Sequence, residues 1–462
     1  MSIQFDGKNL YASMVGTEHG LSEAEVTEGT SNAAEALRRF RAAADAGTYG
    51  FPDLPFRTGD IKAIGKYAAG QKGRYDTVCV VGIGGSALGA WALDCGLRGP
   101  HPVQKAFSKN NPRLVILDNV DPTFIGAALA SMNPKSTLVV VIAKSGATAE
   151  TVATFFVVKA WLERSLGSGK AARRIVAVTT QGEGDLYKLA SASGYPMFYL
   201  PKNVGGRFSV LSAVGLVPAA LCGFDIAKLC KGAAAMTSLC WSENLEENIA
   251  LNAALHHWLV WTRHGKPIQV AFPYANGLWG MAFWFRQLWA ESLGKKVNRA
   301  GETVHIGQTP VAALGATDQH SQVQLYREGP NDKVFSFWTI RNHADAGRIP
   351  KFKTGLEAMD YLSGQTLEHL LDAEQRATAA SLTEANRPNC SYLLDKLNAN
   401  HIGAFLQLLM FQTAFLGEML DIDAFDQPGV ELAKRFTFAL MGRQGFDEYG
   451  QRMEAYEQKR RA

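Results

Sequence analysis

Residues 138–151 read LVVVIAKSGATAET. Five apolar residues (138–142) run straight into a short polar loop holding Lys144, Ser145, Gly146 and Thr148. An amphipathic stretch follows, with Val152, Phe155, Phe156 and Val158 among its apolar positions. An uninterrupted apolar run of this length suits a strand covered on both faces, as in a parallel sheet. The polar loop then sits between the carboxyl end of a buried strand and a helix start, the usual place of ligand sites in α/β folds. It offers hydroxyls, backbone N–H groups and one cation, with no carboxylate before Glu150. That is the chemistry of an anion cradle, suited to a phosphate. A plain strand-to-helix turn capped by Thr148 fits the same residues.

The pattern around this stretch alternates between strand and helix. Strands are predicted at residues 77–83, 113–117, 138–143 and 174–179, with a helix at 87–97. Such spacing implies βαβ units and a parallel sheet. A long helical pattern follows from residue 211, through 244–263. A second α/β region then opens with strand candidates at 268–272, 311–314 and 334–340, and helices at 366–382, 403–420 and 428–440 close the chain. The expected organisation is a helical N-terminal segment (1–70), a first α/β lobe (71–240), a linking helix (241–265) and a second α/β lobe with a helical C-terminus (266–462). The fold class is α/β, with two doubly wound lobes of mainly parallel sheet flanked by helices.

The 462 residues are enough for two lobes with large cores. The composition, 47% hydrophobic and 19% charged, is that of an ordinary soluble globular protein. A net charge of +4 with no long basic block gives no reason to expect nucleic acid as a partner. No uninterrupted apolar 18-mer occurs, and the start, MSIQFDGK, lacks the layout of a secretion signal, so neither membrane nor export is expected. The six cysteines are widely spaced, without a C-x-x-C pair, which points to reduced thiols and a cytoplasmic location.

Five further segments carry chemistry. The first strand ends in VVGIGGSALG, where Gly85 and its neighbours let backbone approach a ligand and Ser86 adds a hydroxyl. The pattern comes close to G-x-G-x-x-A, so a dinucleotide site competes, with Asp118 as its acidic partner. Against that reading, a phosphomonoester uses the second polar loop, which a dinucleotide fold does not need. In VGGRFSVLS, Arg207 is either solvated on a turn or set beside developing negative charge. The helix WFRQLWAESLGK places Gln287 and Glu291 at i and i+4, on one face and near Trp284 and Trp289. A carboxylate among aromatics tends toward a raised pKa, as a general base needs; a surface Glu at a helix end is the simpler alternative. His320 stands in GATDQHS after a strand. In DQPGVELAK, Gln427 precedes a helix start at Pro428 and Lys434 lies one to two turns in, which by itself reads as an exposed lysine on a capped helix. H-E-x-x-H, Cys/His clusters and EF-hand loops do not occur, so no metal is expected.

Taken in order, the blocks GIGGSALG, AKSGATAET, VGGRFSVLS, QLWAESLGK, GATDQHS and DQPGVELAK resemble the phosphoglucose isomerase family, whose members are built from two sugar-isomerase lobes. The resemblance runs from Gly82 to Lys434. It implies that Gly85, Ser86, Lys144, Ser145 and Thr148 hold the substrate phosphate and that Gln287 and Gln427 help bind the sugar or its phosphate. It implies Glu291 as the base moving a proton between C2 and C1, and Arg207 as the stabiliser of a cis-enediolate. His320, contributed in this family by the partner of a homodimer, and Lys434 would assist ring opening. The implied activity is glucose 6-phosphate/fructose 6-phosphate isomerisation without cofactor; an isomerase that also accepts mannose 6-phosphate, or a non-catalytic sugar-phosphate sensor, are the alternatives. The chain departs from the family pattern at Ala143 (usually Ser), Ala147 (Thr), Leu293 (Asn) and Pro428 (an aromatic). These departures place the expected differences in phosphate affinity and sugar preference.

Overall fold

A computed structural model describes residues 3–99, 107–144, 146 and 148–461. Its strands are, in chain order, β1 (Ile3–Asp6), β2 (Thr77–Val81), β3 (Arg113–Leu117), β4 (Thr137–Ile142), β5 (Ile175–Thr179), β6 (Met197–Tyr199), β7 (Ile268–Pro273), β8 (Lys295–Val297), β9 (Thr303–Ile306), β10 (Thr309–Ala312), β11 (Lys333–Ile340) and β12 (Asn389–Leu394). They form a sheet of order β3-β2-β4-β5-β6, a second of order β1-β12-β11-β7-β10, and the β8-β9 pair. The first sheet is parallel throughout. β2, β4 and β5 are buried at every position, because helices cover both faces and leave no side for polar residues.

The two large sheets are wound alike. In each, the first strand of the α/β region (β2 or β7) lies next to one edge, with the sheet's next strand (β3 or β10) at that edge and the later ones (β4 and β5, or β11 and β12) following in order on its other side. The carboxyl ends of β2 and β4, and of β7 and β11, therefore flank the points where the winding reverses, where crevices open in such sheets.

The chain forms two compact units, Met1–Ala424 and Phe425–Ala462. Both sheets belong to the first. Its core is built on the helix Ala399–Met419, buried at 18 of its 21 positions. Among the described residues this is the one helix long and apolar enough to cross a membrane, but 94% of that stretch is enclosed by protein. Its polar side chains find partners inside: Gln407 donates to Thr237 Oγ1 at 2.9 Å, and Gln412 accepts from the Tyr392 hydroxyl at 2.9 Å. The second unit holds the helices Glu431–Leu440 and Asp447–Arg461, with arginines against aromatic rings, such as Arg443 over Phe438 at 4.5 Å.

The N-terminal segment differs from the all-helical expectation. Ile3–Asp6 is a strand that pairs antiparallel with β12 and closes the edge of the second sheet. Four residues of I-Q-F-D alternation are too short to stand out, and Ile3 finds its apolar environment only opposite Leu394. The helix predicted from 244 begins at Ile249, where Asn248 caps it by accepting from Leu251 N–H at 3.0 Å.

Candidate active site

Glu291 lies near the end of the helix Trp279–Leu293, and Arg207 in the turn Gly206–Phe208 that follows β6. Arg207 is 2% exposed, and its guanidinium is held on three sides. Nε donates to Ser292 Oγ at 2.7 Å, Nη2 to the Ala424 carbonyl at 2.6 Å, and Nη1 to Glu291 Oε2 at 3.4 Å. The other carboxylate oxygen of Glu291 accepts from Gln287 Nε2 at 3.1 Å, as the i, i+4 spacing predicts. The Glu291 side chain is 33% exposed, so one side of the carboxylate faces outward.

The aromatic surroundings expected for Glu291 do not form. Trp284 and Trp289 are buried, and Trp289 turns its indole N–H to Gln308 Oε1 at 3.1 Å. The partners of the carboxylate are a guanidinium and an amide, because buried Arg207 needs an acidic neighbour more than the tryptophans need a polar one. Gln287 Oε1 is buried and accepts no hydrogen bond among the described residues.

The turn Gly84–Ser86 follows β2 and abuts this group. A Cβ on Gly84 would stand 2.9 Å from Gln287 Nε2, and one on Gly85 2.3 Å from the Gly206 carbonyl carbon and 2.8 Å from Arg207 N. The glycines are therefore needed for chain-to-chain approach: the room they leave is filled by Gln287 and the 206–207 backbone, rather than kept for a dinucleotide pyrophosphate. Half-buried Ser86 ends the turn.

Lys144 follows β4. Its ammonium donates to the carbonyls of Lys202 (2.9 Å) and Val204 (3.2 Å), tying the polar loop to the segment that carries Arg207. Partial desolvation there draws its pKa below the usual lysine value. Thr148 precedes the helix Ala149–Leu166 in extended conformation, and its hydroxyl makes no capping bond. Capping is thus not its role. Ser145 and Ala147 lie outside the described residues. Ala143 is nearly buried and packs in the core cluster of the first sheet.

A sequence model described as phosphoglucose isomerase matches residues 58–448. The chain belongs to the phosphoglucose isomerase family. It is 40% identical to the glucose-6-phosphate isomerase of Carboxydothermus hydrogenoformans over 97% of this chain and 96% of that one. It is 42% identical to that of Rubrobacter xylanophilus over 79% and 82%. A crystal structure of a hypothetical protein from Thermus thermophilus superposes with a TM-score of 0.84 at 36% identity, covering 95% of this chain and all of that one. The fold is also that of the glucose-6-phosphate isomerase from Chlamydia trachomatis (TM-score 0.75, 24% identity, 87% and 76% covered).

Of the remaining residues that the family resemblance singles out, His320 belongs to the same unit as Arg207 and Glu291, and Gln427 and Lys434 to the other. His320 is exposed at the end of the turn Thr317–His320 after β10, with no hydrogen bond to Glu291 or Arg207. Asp318 and Gln319 anchor this turn through Leu314 N–H (2.7 Å) and the Tyr274 hydroxyl (2.8 Å). Gln427 and Lys434 belong to the unit Phe425–Ala462, where Gln427 precedes the turn Pro428–Val430 and Lys434 pairs with Glu431 at 2.8 Å. Sequence reasoning missed Ser292 and the Ala424 carbonyl, which fix Arg207. A serine directly after the candidate base was the available signal for the first; a backbone acceptor leaves none.

Proposed function

We propose that this chain interconverts D-glucose 6-phosphate and D-fructose 6-phosphate through a cis-enediolate, with Glu291 as the proton carrier. The observation that carries this reading is the Glu291 carboxylate held between Arg207 Nη1 and Gln287 Nε2, beside the turns that end β2 and β6. Moving the carbonyl between C1 and C2 requires one proton to leave the carbon α to it and return to its neighbour. No electrons leave the substrate, so one carboxylate suffices. Starting from the aldose, Glu291 takes the C2 proton and the C1 oxygen gains negative charge; the O2 proton passes to O1, and the protonated carboxyl returns its proton to C1 as the carbonyl forms at C2. A guanidinium already fixed by Ser292 and Ala424 needs little reorganisation to steady the enediolate oxygens, which is where preorganised charge lowers a barrier most.

The phosphate is assigned to the loop after β4 and the turn after β2, through Ser86, Ser145, Thr148 and the backbone around Gly85. Lys144 has two of its three ammonium protons on carbonyls and one left for an anion. Gln287 Oε1 is suited to accept a sugar hydroxyl. Gln427 is read as a further ligand to the sugar or its phosphate, and His320 and Lys434 as assisting ring opening. His320 is read as supplied across a homodimer interface, a reading its exposed turn allows. The matching winding order supports two sugar-isomerase lobes, at residues 71–240 and 266–462. Six free, buried cysteines support a cytoplasmic setting. A sugar-phosphate sensor has no use for a base and a fixed cation together, and both are present. The test is isomerisation of fructose 6-phosphate with a chelator present, for the wild type and Glu291→Gln. An inactive wild type, or a variant that keeps most of its rate, overturns the assignment.

A further inference from the structure

At the end of the first sheet opposite the phosphate loops lies a cavity of about 530 Å3, within the usual size of small-molecule sites. Tyr75 and Val78 at the start of β2, and Leu138 at the start of β4, contribute to its apolar lining, and Phe224 adds a second aromatic ring. The helix Thr58–Gln71 and the segment 220–227 complete its walls.

The charge around this apolar cavity is one-sided. Lys62 and Lys66 stand one turn apart on the helix, Lys72 caps its end, and Lys109 comes from the segment before β3. Among the described residues none of the four side chains takes part in a hydrogen bond or ion pair. Like charges at i, i+4 are unfavourable for a helix. The one acidic lining residue, Asp225, is already engaged: it accepts from Lys228 N–H at 3.0 Å and pairs with Lys228 Nζ at 3.0 Å. The 15-residue helix Ile226–Cys240 begins on the cavity wall, and Asp225 caps its N-terminus. Arg174 lies 4.9 Å from the centre of the Tyr75 ring and adds further positive potential nearby.

We infer that this cavity is a second ligand site, for a small amphiphilic anion: an aromatic or compact apolar body carrying one phosphate or sulfonate. The apolar lining argues against a bare phosphate or a sugar phosphate, which would leave it unfilled, and the concave shape argues against a nucleic-acid strand. β2 and β4 are five and six residues long, so about 17–20 Å of strand separates this site from the loops at their carboxyl ends.

The probe is 1-naphthyl phosphate, titrated calorimetrically into the full chain with fructose 6-phosphate present in saturating amount. One site per chain with a Kd of about 10–100 μM is expected. Lys62→Glu combined with Lys66→Glu should weaken binding at least tenfold. Gly65→Phe gives an independent variant: Gly65 lines the cavity, a Cβ there meets nothing within 4 Å, and the ring can fill the space while all four lysines remain. It should abolish binding and leave isomerisation intact. No binding, binding unchanged in both variants, or displacement by fructose 6-phosphate overturns the inference. So does equal affinity for uncharged 1-naphthol, which would mean that the anion is not recognised.

Discussion

Ser292→Ala isolates the positioning of Arg207 from its charge. In the wild type, Arg207 Nε donates to Ser292 Oγ at 2.7 Å, and Ser292 is fully buried. The substitution removes one oxygen and leaves a space too small for a water to take over the bond. A hydrogen bond to a charged group is worth about 1.5–3 kcal/mol, and a buried guanidinium N–H left without an acceptor loses nearly all of that. Stability should fall by about that amount, read as a shift in the urea midpoint. With this bond lost, the guanidinium can shift from the position in which it faces Glu291 at 3.4 Å, and a misplaced cation steadies the enediolate less well. A change of about 1.4–2.7 kcal/mol in the barrier lowers kcat roughly 10–100-fold. KM should change less than about threefold, because the phosphate is assigned to other loops. The assay couples glucose 6-phosphate formation to NADPH absorbance. Ser292→Thr keeps the hydroxyl and should recover most of kcat. A Ser292→Ala enzyme with wild-type kcat, or one impaired in KM alone, would refute the positioning role.

Three further outcomes are expected. Glu291→Gln keeps the shape and one acceptor oxygen but not the base, and should lower kcat about 10²–10⁴-fold with little change in KM; steady-state kinetics decides. Gly85→Ala would set a Cβ 2.3 Å from the Gly206 backbone, so the two turns must part by about 1 Å. Misplacement on that scale should cost about 10²-fold in kcat/KM, and retained activity would show that the close approach is dispensable. The third concerns pH. His257 is fully buried, and burial pushes its pKa down to about 3 from an ordinary 6.5. Between these values the unfolded chain binds a proton that the folded protein refuses. The stability is therefore present above about pH 6.5 and is lost as pH falls toward 3. From pH 7.5 to 5 this group alone should remove about 2 kcal/mol. Urea midpoints at the two pH values should show a shallower loss in His257→Gln; equal slopes would mean that another group titrates.

Strands were legible where burial is complete. β2, β4 and β5 are covered on both faces, so their residues are nearly all apolar and the run announces itself. β12 escaped notice although it lies inside the second sheet. Its sequence, NCSYLL, opens with a polar residue, and Asn389 is tolerated there because its amide donates to Thr383 Oγ1 at 2.9 Å and to the Arg387 carbonyl at 3.0 Å. β1 and β6 are edge strands of four and three residues, too short for a period to show.

The same division holds at the site. Glycines and hydroxyls at strand ends, and the i, i+4 pair of Gln287 and Glu291, were set by local sequence, because a turn or one helical face depends on near neighbours alone. The pairing of Arg207 with Glu291 across 84 positions, its hold on Ser292 and Ala424, and the tether from Lys144 to the 202–204 carbonyls depend on packing between distant elements. Aromatic neighbours in the sequence suggested an apolar setting for Glu291; the fold buried those rings elsewhere and gave the carboxylate a guanidinium and an amide. Sequence alone thus determined the α/β class, the family and the chemically capable residues. Tertiary structure decided which of those residues meet, because a buried charge draws its partners from whatever elements the core brings within reach.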